Sequence, residues 1–320
     1  MDPAIPGRLR TIDFDGAHDH LESLLGIFGS SHSSNASSIR LHVTPYSEQG
    51  PQERTTAFLS LSFPKLSKLD IRNFLPDSSS SIFTTSNLIS LKLGSPHRDG
   101  NHYTPSRFSK MLQRHSNLQE LHLWQSGIPQ ARSSGSSVPI VLPRLVDLQL
   151  DGTAATIAGF LALISMSSPL HNVTLHFEFI RAPSIPTLVS IVKKILAPYY
   201  KRQGVDYPRK ASHLTISNLE ENFLAFNVES RSTSASHPTS NLELRFNKMD
   251  NTLAEKICLL FPLGDVLEFA AVGLDLPRSG YRELFQRMVG LSCLRLDGLD
   301  IGPVLGELGF AHELRGVQRH

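Results

Sequence analysis

Apolar positions along this chain recur in one order: apolar, two residues, apolar, one residue, apolar. The clear copies are Leu66/Leu69/Ile71, Leu88/Leu91/Leu93, Leu118/Leu121/Leu123, Leu145/Leu148/Leu150, Leu170/Val173/Leu175 and Leu291/Leu294/Leu296. From Leu66 to Leu170 the first leucines are 22, 30, 27 and 25 residues apart. Each copy ends in strict alternation, which predicts a strand with one buried face. The stretches between copies carry a different period. Thr104-Pro105 predicts a helix start with Phe108, Met111 and Leu112 on its apolar side. Ile157, Phe160, Leu161 and Ile164 mark a second helix over Ala154 to Met166.

The remaining segments follow the same scheme with less regularity. Leu9/Ile12/Phe14 opens the chain and leads into an amphipathic stretch, Ala17 to Phe28. Ile39, Leu41 and Val43 form a short alternating run, and Gln52 to Leu61 reads as a short helix. The period slips between 178 and 240. There, Pro186 to Leu196 reads as helical, Tyr199 to Lys210 is basic, and His213 to Ser217 with Phe223 to Val228 predict an extra hairpin. Regularity returns at Leu242/Leu244/Phe246, with a helix from Asn251 to Leu260. A weaker strand at Val266 to Phe269, a helix at Tyr281 to Val289 and a last turn at Pro303 to Leu308 complete the series. Polar, Ser- and Gly-rich stretches near 29–38, 94–103, 126–138 and 230–240 read as mobile loops.

A single strand and helix cannot bury their own apolar faces, but stacked copies can. The expected fold is therefore α/β: a curved solenoid with a mainly parallel sheet on one side and helices on the outer side, irregular around 178–240. It is expected as a single domain over 1–320.

The phrases F-P-K-L-S-K-L-D-I, H-S-N-L-Q-E-L-H-L and L-P-R-L-V-D-L-Q-L resemble the leucine-rich repeat. The resemblance covers about residues 5 to 300. It differs where that repeat places an asparagine, because Phe74, Pro96, Ser126 and Thr153 stand there. The irregular spacing is similar to the degenerate repeats of F-box proteins from mushroom-forming fungi. That resemblance implies substrate recognition in an F-box-type ubiquitin ligase. The adaptor subunit would be a partner only if an F-box lies upstream, since the first residues start directly in the repeat pattern.

Composition narrows the function classes. The 320 residues are 40% hydrophobic and carry 31 basic against 29 acidic side chains, a formal charge of +2. There is no dense basic stripe to bind nucleic acid. The longest apolar run, around Ala158 to Met166, is too short to span a bilayer. Cys258 and Cys293 read as reduced thiols, and the N-terminus lacks a signal-peptide core, so the expected location is cytoplasmic or nuclear.

No nucleotide or nucleophile motif occurs, and the chain is read as a non-enzyme with no cofactor and no metal site. The sharpest alternative is Asp13-Phe14-Asp15-Gly16, which resembles the nucleophile loop of haloacid-dehalogenase-type phosphatases, with Asp13 attacking phosphorus and Asp15 as acid/base. Comparison of copies favours another reading. Asp15-Gly16, Asp151-Gly152 and Asp297-Gly298 occupy one repeat position, expected to be a turn after the strand. His18 and His20 fall on different sides of a helix and cannot share an ion. His42, His122 and His176 lie on separate strands, too far apart for one zinc. What remains is the polar side of the strands. Lys68, Asp70, Arg72, Lys92, Glu120, His122, Trp124, Asp147, Gln149, Arg245 and Arg295 are the candidate protein-binding face, with Trp and Arg as its natural anchors.

Overall fold

The computed structural model describes residues 9–17, 20–21, 23–24, 35–44, 62–84, 87–95, 103–125, 127–129, 139–165, 170–178, 185–200, 210–220, 223–231, 240–247, 251–259, 263–272 and 276–297. The fold is α/β with a mostly parallel sheet. It divides into two compact units, Met1–Gly152 with Thr156–Leu170, and Thr153–Ala155 with His171–His320.

The first unit holds six parallel strands in sequence order: β1 (Thr11–Gly16), β2 (Ser38–Val43), β3 (Lys68–Arg72), β4 (Ser90–Ser95), β5 (Glu120–Gln125) and, after the two-residue β6 (Ile140–Val141), β7 (Asp147–Gly152). The register is constant from strand to strand. Ile12, Ile39, Leu69, Leu91, Leu121 and Leu148 form one buried row. Leu41, Ile71, Leu93, Leu123 and Leu150 form the next. A one-residue slip would turn both rows to solvent, so the apolar pattern itself locks the register.

The helices of this unit are α1 (Ser81–Thr84), α2 (Pro105–Gln113) and α3 (Ala154–Leu163). Phe108 of α2 and Phe160 of α3 are both buried and meet edge to face, with ring centroids 5.9 Å apart. Thr104 takes the expected cap position before Pro105, but its side chain makes no capping hydrogen bond. β6 pairs with β8 (Ile164–Ser165), which follows α3 directly.

A backbone ladder joins successive copies just ahead of the strands. The carbonyls of Arg10, Ser37, Ser67, Ile89 and Gln119 each accept two consecutive N–H groups of the next copy, at 2.7–3.2 Å. This ladder pairs the backbone groups where the chain enters each strand. Beyond β3, Asn73 adds a side-chain version. Its amide donates to the Val43 carbonyl at 2.8 Å, and its φ is 70°. Gln125 stands at the same repeat position, also left-handed at φ 46°. Gly16 and Gly152, at that position in two other copies, remain in the strand. The Asp-Gly pairs of those two copies are therefore strand ends and not turns: Gly16 still pairs with Val43.

The second unit contains β9 (Asn172–Phe177), α4 (Ile185–Tyr200), β10 (Lys210–Glu220), β11 (Phe223–Arg231), β12 (Ser240–Asn247), α5 (Asn251–Cys258), β13 (Glu268–Val272), α6 (Arg278–Arg287) and β14 (Cys293–Asp297). The slip in period has a structural counterpart. β9 pairs with β12, and β11 and β10 then lie between β12 and β13, both joined in antiparallel fashion through β11. The connections flanking β11 are shorter than the dozen or so residues a parallel crossover needs, so the chain can only turn back. The predicted hairpin is thus present and longer than its two short apolar runs. The weak strand sits slightly later than expected, at Glu268–Val272, behind a 3-10 turn at Leu263–Asp265. Phe269 packs edge to face on Phe285 of α6.

The expected helix at Gln52 to Leu61, the turn at Pro303 to Leu308 and most of the loop segments lie outside the described residues. No helix among the described residues is long and apolar enough to cross a membrane.

Candidate functional site

Alternation along each strand sends every second side chain of the first unit away from the buried leucines. The constant register then aligns these polar positions into three rows across the strands. One row reads Thr11, Ser38, Lys68, Ser90, Glu120, Asp147. The middle row reads Asp13, Arg40, Asp70, Lys92, His122, Gln149, and the third reads Asp15, His42, Arg72, Gly94, Trp124, Asp151.

Neighbours along and between the rows are paired by charge. Arg40 donates to Asp13 at 3.1 Å and lies 3.8 Å from Asp70. Arg72 grips Asp70 with two nitrogens, each at 3.1 Å. That hydrogen bond, against partial burial and with the help of the Asp70 charge, raises the guanidinium above its usual range. His42 contacts Asp15 at 3.1 Å. Lys92 reaches Glu120 at 2.6 Å, and the Ser90 hydroxyl donates to the other oxygen of the same carboxylate. Partial burial pushes Glu120 up, but the Lys92 and Ser90 hydrogen bonds and the Lys92 and His122 charges outweigh it and hold the carboxyl below its ordinary value.

Around Trp124 the packing is closer. A Cβ on Gly94 would fall 2.5 Å from Trp124 Cβ and 2.7 Å from Cε3, so the indole lies against the Gly94 backbone. Only glycine leaves that space. On the next strand, the Arg72 guanidinium lies 5.3 Å from the indole centroid, within cation–π range. His122 meets the same indole edge to face at 6.3 Å. The chain's single tryptophan is therefore held by a glycine below it and a carboxylate-anchored arginine beside it.

His122 Nε2 also lies 3.3 Å from Glu120 and 3.1 Å from Asp147. Glu120, His122 and Asp147 are the group among the described residues whose ligand atoms all lie within 4.8 Å of one another, a donor set suited to a divalent cation. The Lys92 ammonium already lies against the same Glu120 oxygen that faces His122.

Nine of the eleven candidate face residues, Lys68 through Gln149, lie in the first unit and on these rows. Arg245 and Arg295 belong to the second unit, are exposed, and lie on β12 and β14. Arg245 donates to Glu243 at 2.8 Å. His42 and His122 are three strands apart, about 14 Å at ordinary strand spacing, and each has its own carboxylate. Asp13 and Asp15 lie on the open surface of β1, engaged by Arg40 and His42. Sequence reasoning passed over Arg40, Ser90 and Gly94, and read Asp151 as a turn residue and not as part of this face. The available signal was positional: aligned copies put Gly94 beside Trp124, the smallest residue beside the largest.

No protein-family model matches the chain, and no curated protein sequence matches it.

Proposed function

We propose that this protein is a non-enzymatic interaction scaffold, a leucine-rich-repeat-like solenoid that binds another protein through the polar face of its parallel strands. The observation that carries this reading is the register. It aligns the polar strand positions into three continuous rows, with Trp124 clamped between Gly94 and Arg72 within an ion-paired surface. A preorganised aromatic–arginine pair is the kind of feature that dominates binding energy at protein interfaces. The likeness to fungal F-box proteins extends the reading: a substrate-recognising part of a ubiquitin ligase, working in the cytoplasm or nucleus.

Affinity capture from native cells tests both levels. Trp124→Ala is expected to lower recovery of the bound partner at least tenfold, the usual scale for an interface anchor. Undiminished recovery would move the binding site off this face. Co-capture of a ligase adaptor subunit supports the ligase role, and its absence removes that role while leaving the scaffold.

A further inference from the structure

We infer that the second unit carries a zinc site formed by Cys293, Glu268 and His213, one residue from each of three neighbouring strands. The backbone register brings them together. Glu268 of β13 is the parallel partner of Cys293 on β14 and of His213 on β10. The three positions therefore stand side by side in one row across the sheet. The next row along the strands is apolar: Leu214, Phe269 and Leu294 follow them, paired in the same order. Phe269 is buried, whereas Cys293 is an exposed, free thiol. Strand alternation thus puts the row on the side of the sheet opposite the core. All three residues belong to the second unit, so the site stands or falls apart from the face proposed for the first.

These residue types select zinc. Thiolate and imidazole are the soft and borderline donors that zinc prefers, and a carboxylate completes such a set. Calcium and magnesium favour sites made of oxygen alone. The spacing suits one ion. Cys293 and His213 are two strands apart, roughly 10 Å at ordinary strand spacing. A zinc ion spans about 3.6 Å of that between a sulfur and a nitrogen ligand at the tetrahedral angle. Some ~6 Å is left for two side chains to cover, with the Glu268 position between them. Two further features mark the row. The pairing of β10 with β11 slips between Ala211 and His213, and His213 is where β10 begins to pair with β13. β-Bulges recur beside functional sites, where they re-aim a side chain. Glu229 is the β11 partner of His213, so the row continues with a second carboxylate position beyond the histidine. That order, carboxylate, histidine, metal, is the one in which an outer carboxylate fixes a ligating imidazole. Among the described strands β14 pairs only with β13, so an ion shared with β10 would fasten the end of the sheet.

The test uses the full chain, stripped of metal by a chelator, with cobalt and zinc as probes. Cobalt is expected to bind and give the thiolate-to-metal absorption of a cysteine ligand, and zinc, the tighter ion, should abolish it. One equivalent of zinc should also slow thiol labelling of Cys293 by roughly tenfold or more, because the thiolate is both nucleophile and ligand. His213→Ala and Glu268→Gln should each weaken zinc binding by about ten- to a hundredfold, at least the cost of losing an outer-sphere partner. Cys293→Ser should remove the cobalt absorption, while Glu283→Gln, on α6, should leave it unchanged. Three results overturn the proposal. One is cobalt without thiolate absorption, and another is an unchanged labelling rate of Cys293 in zinc. The third is full affinity in both His213→Ala and Glu268→Gln, which would leave a cysteine acting alone. The first two readings need no variant, so a misfolded mutant cannot shield the site.

Discussion

Gly94 shows how one atom decides the character of the face. The added methyl of Gly94→Ala would occupy space that Trp124 Cβ and Cε3 fill at 2.5 and 2.7 Å, and neither the strand nor the Cβ can retreat. The indole must swing away from Arg72. Overpacking of this kind costs about 1–3 kcal/mol. Gly94→Ala is therefore expected to lower the urea midpoint and to red-shift Trp124 emission in the folded protein. An unchanged emission maximum would show that the indole does not depend on Gly94. The Asn73 position teaches a related lesson. A left-handed residue is needed there, and asparagine takes that conformation more readily than most side chains while its amide closes a hydrogen bond to Val43.

At the scale of the element, the turn that leads into each strand explains a buried histidine. Three residues before the first leucine stand Phe63, His115, Leu142 and Met288, and Leu263 precedes Val266 in the same way. All five are buried, and the carbonyl of each accepts the N–H three residues on. His115 thus fills an apolar socket of the repeat. Burial, helped by the Arg114 charge and only partly offset by the nearby Phe83 backbone, lowers its pKa from 6.5 to about 4. The unfolded chain takes up this proton near 6.5 and the folded chain near 4. Stability from this group is complete above pH 6.5 and is lost as pH falls toward 4, by up to roughly 3 kcal/mol. His115→Leu, which restores the apolar residue found in sister copies, should flatten urea stability between pH 6.5 and 4. An equally steep decline in that variant would assign the acid sensitivity elsewhere.

For the whole molecule, the two cysteines provide contrasting probes. Both are free, with Cys258 buried and Cys293 exposed on β14. Burial also raises the Cys258 thiol, which keeps it protonated and unreactive. A thiol reagent should therefore label one cysteine per native chain quickly, and the second only at the rate at which the α5 region opens. Two fast thiols would mean that the α5 packing is open in solution. Trp124 lies in the first unit and Cys258 in the second, so fluorescence and labelling follow the two units separately.

Much of this was legible in the sequence because it depends on short-range periodicity. The alternation of Leu118, Leu121 and Leu123 with Glu120, His122 and Trp124 is enough to assign a strand, its buried side and its polar side. The same arithmetic over aligned copies identified nine polar residues that share one face. Tertiary structure alone decided what those residues do to one another. Asp147 is paired with His122 across 25 positions of sequence, and Gly94 makes room for an indole on the neighbouring strand. Such contacts depend on register and rotamer, which a repeat pattern implies only once the strands are stacked. The reversal at β10–β12 was visible in the sequence only as a loss of period, because pairing partners are set by connection length and by neighbours the local pattern does not contain.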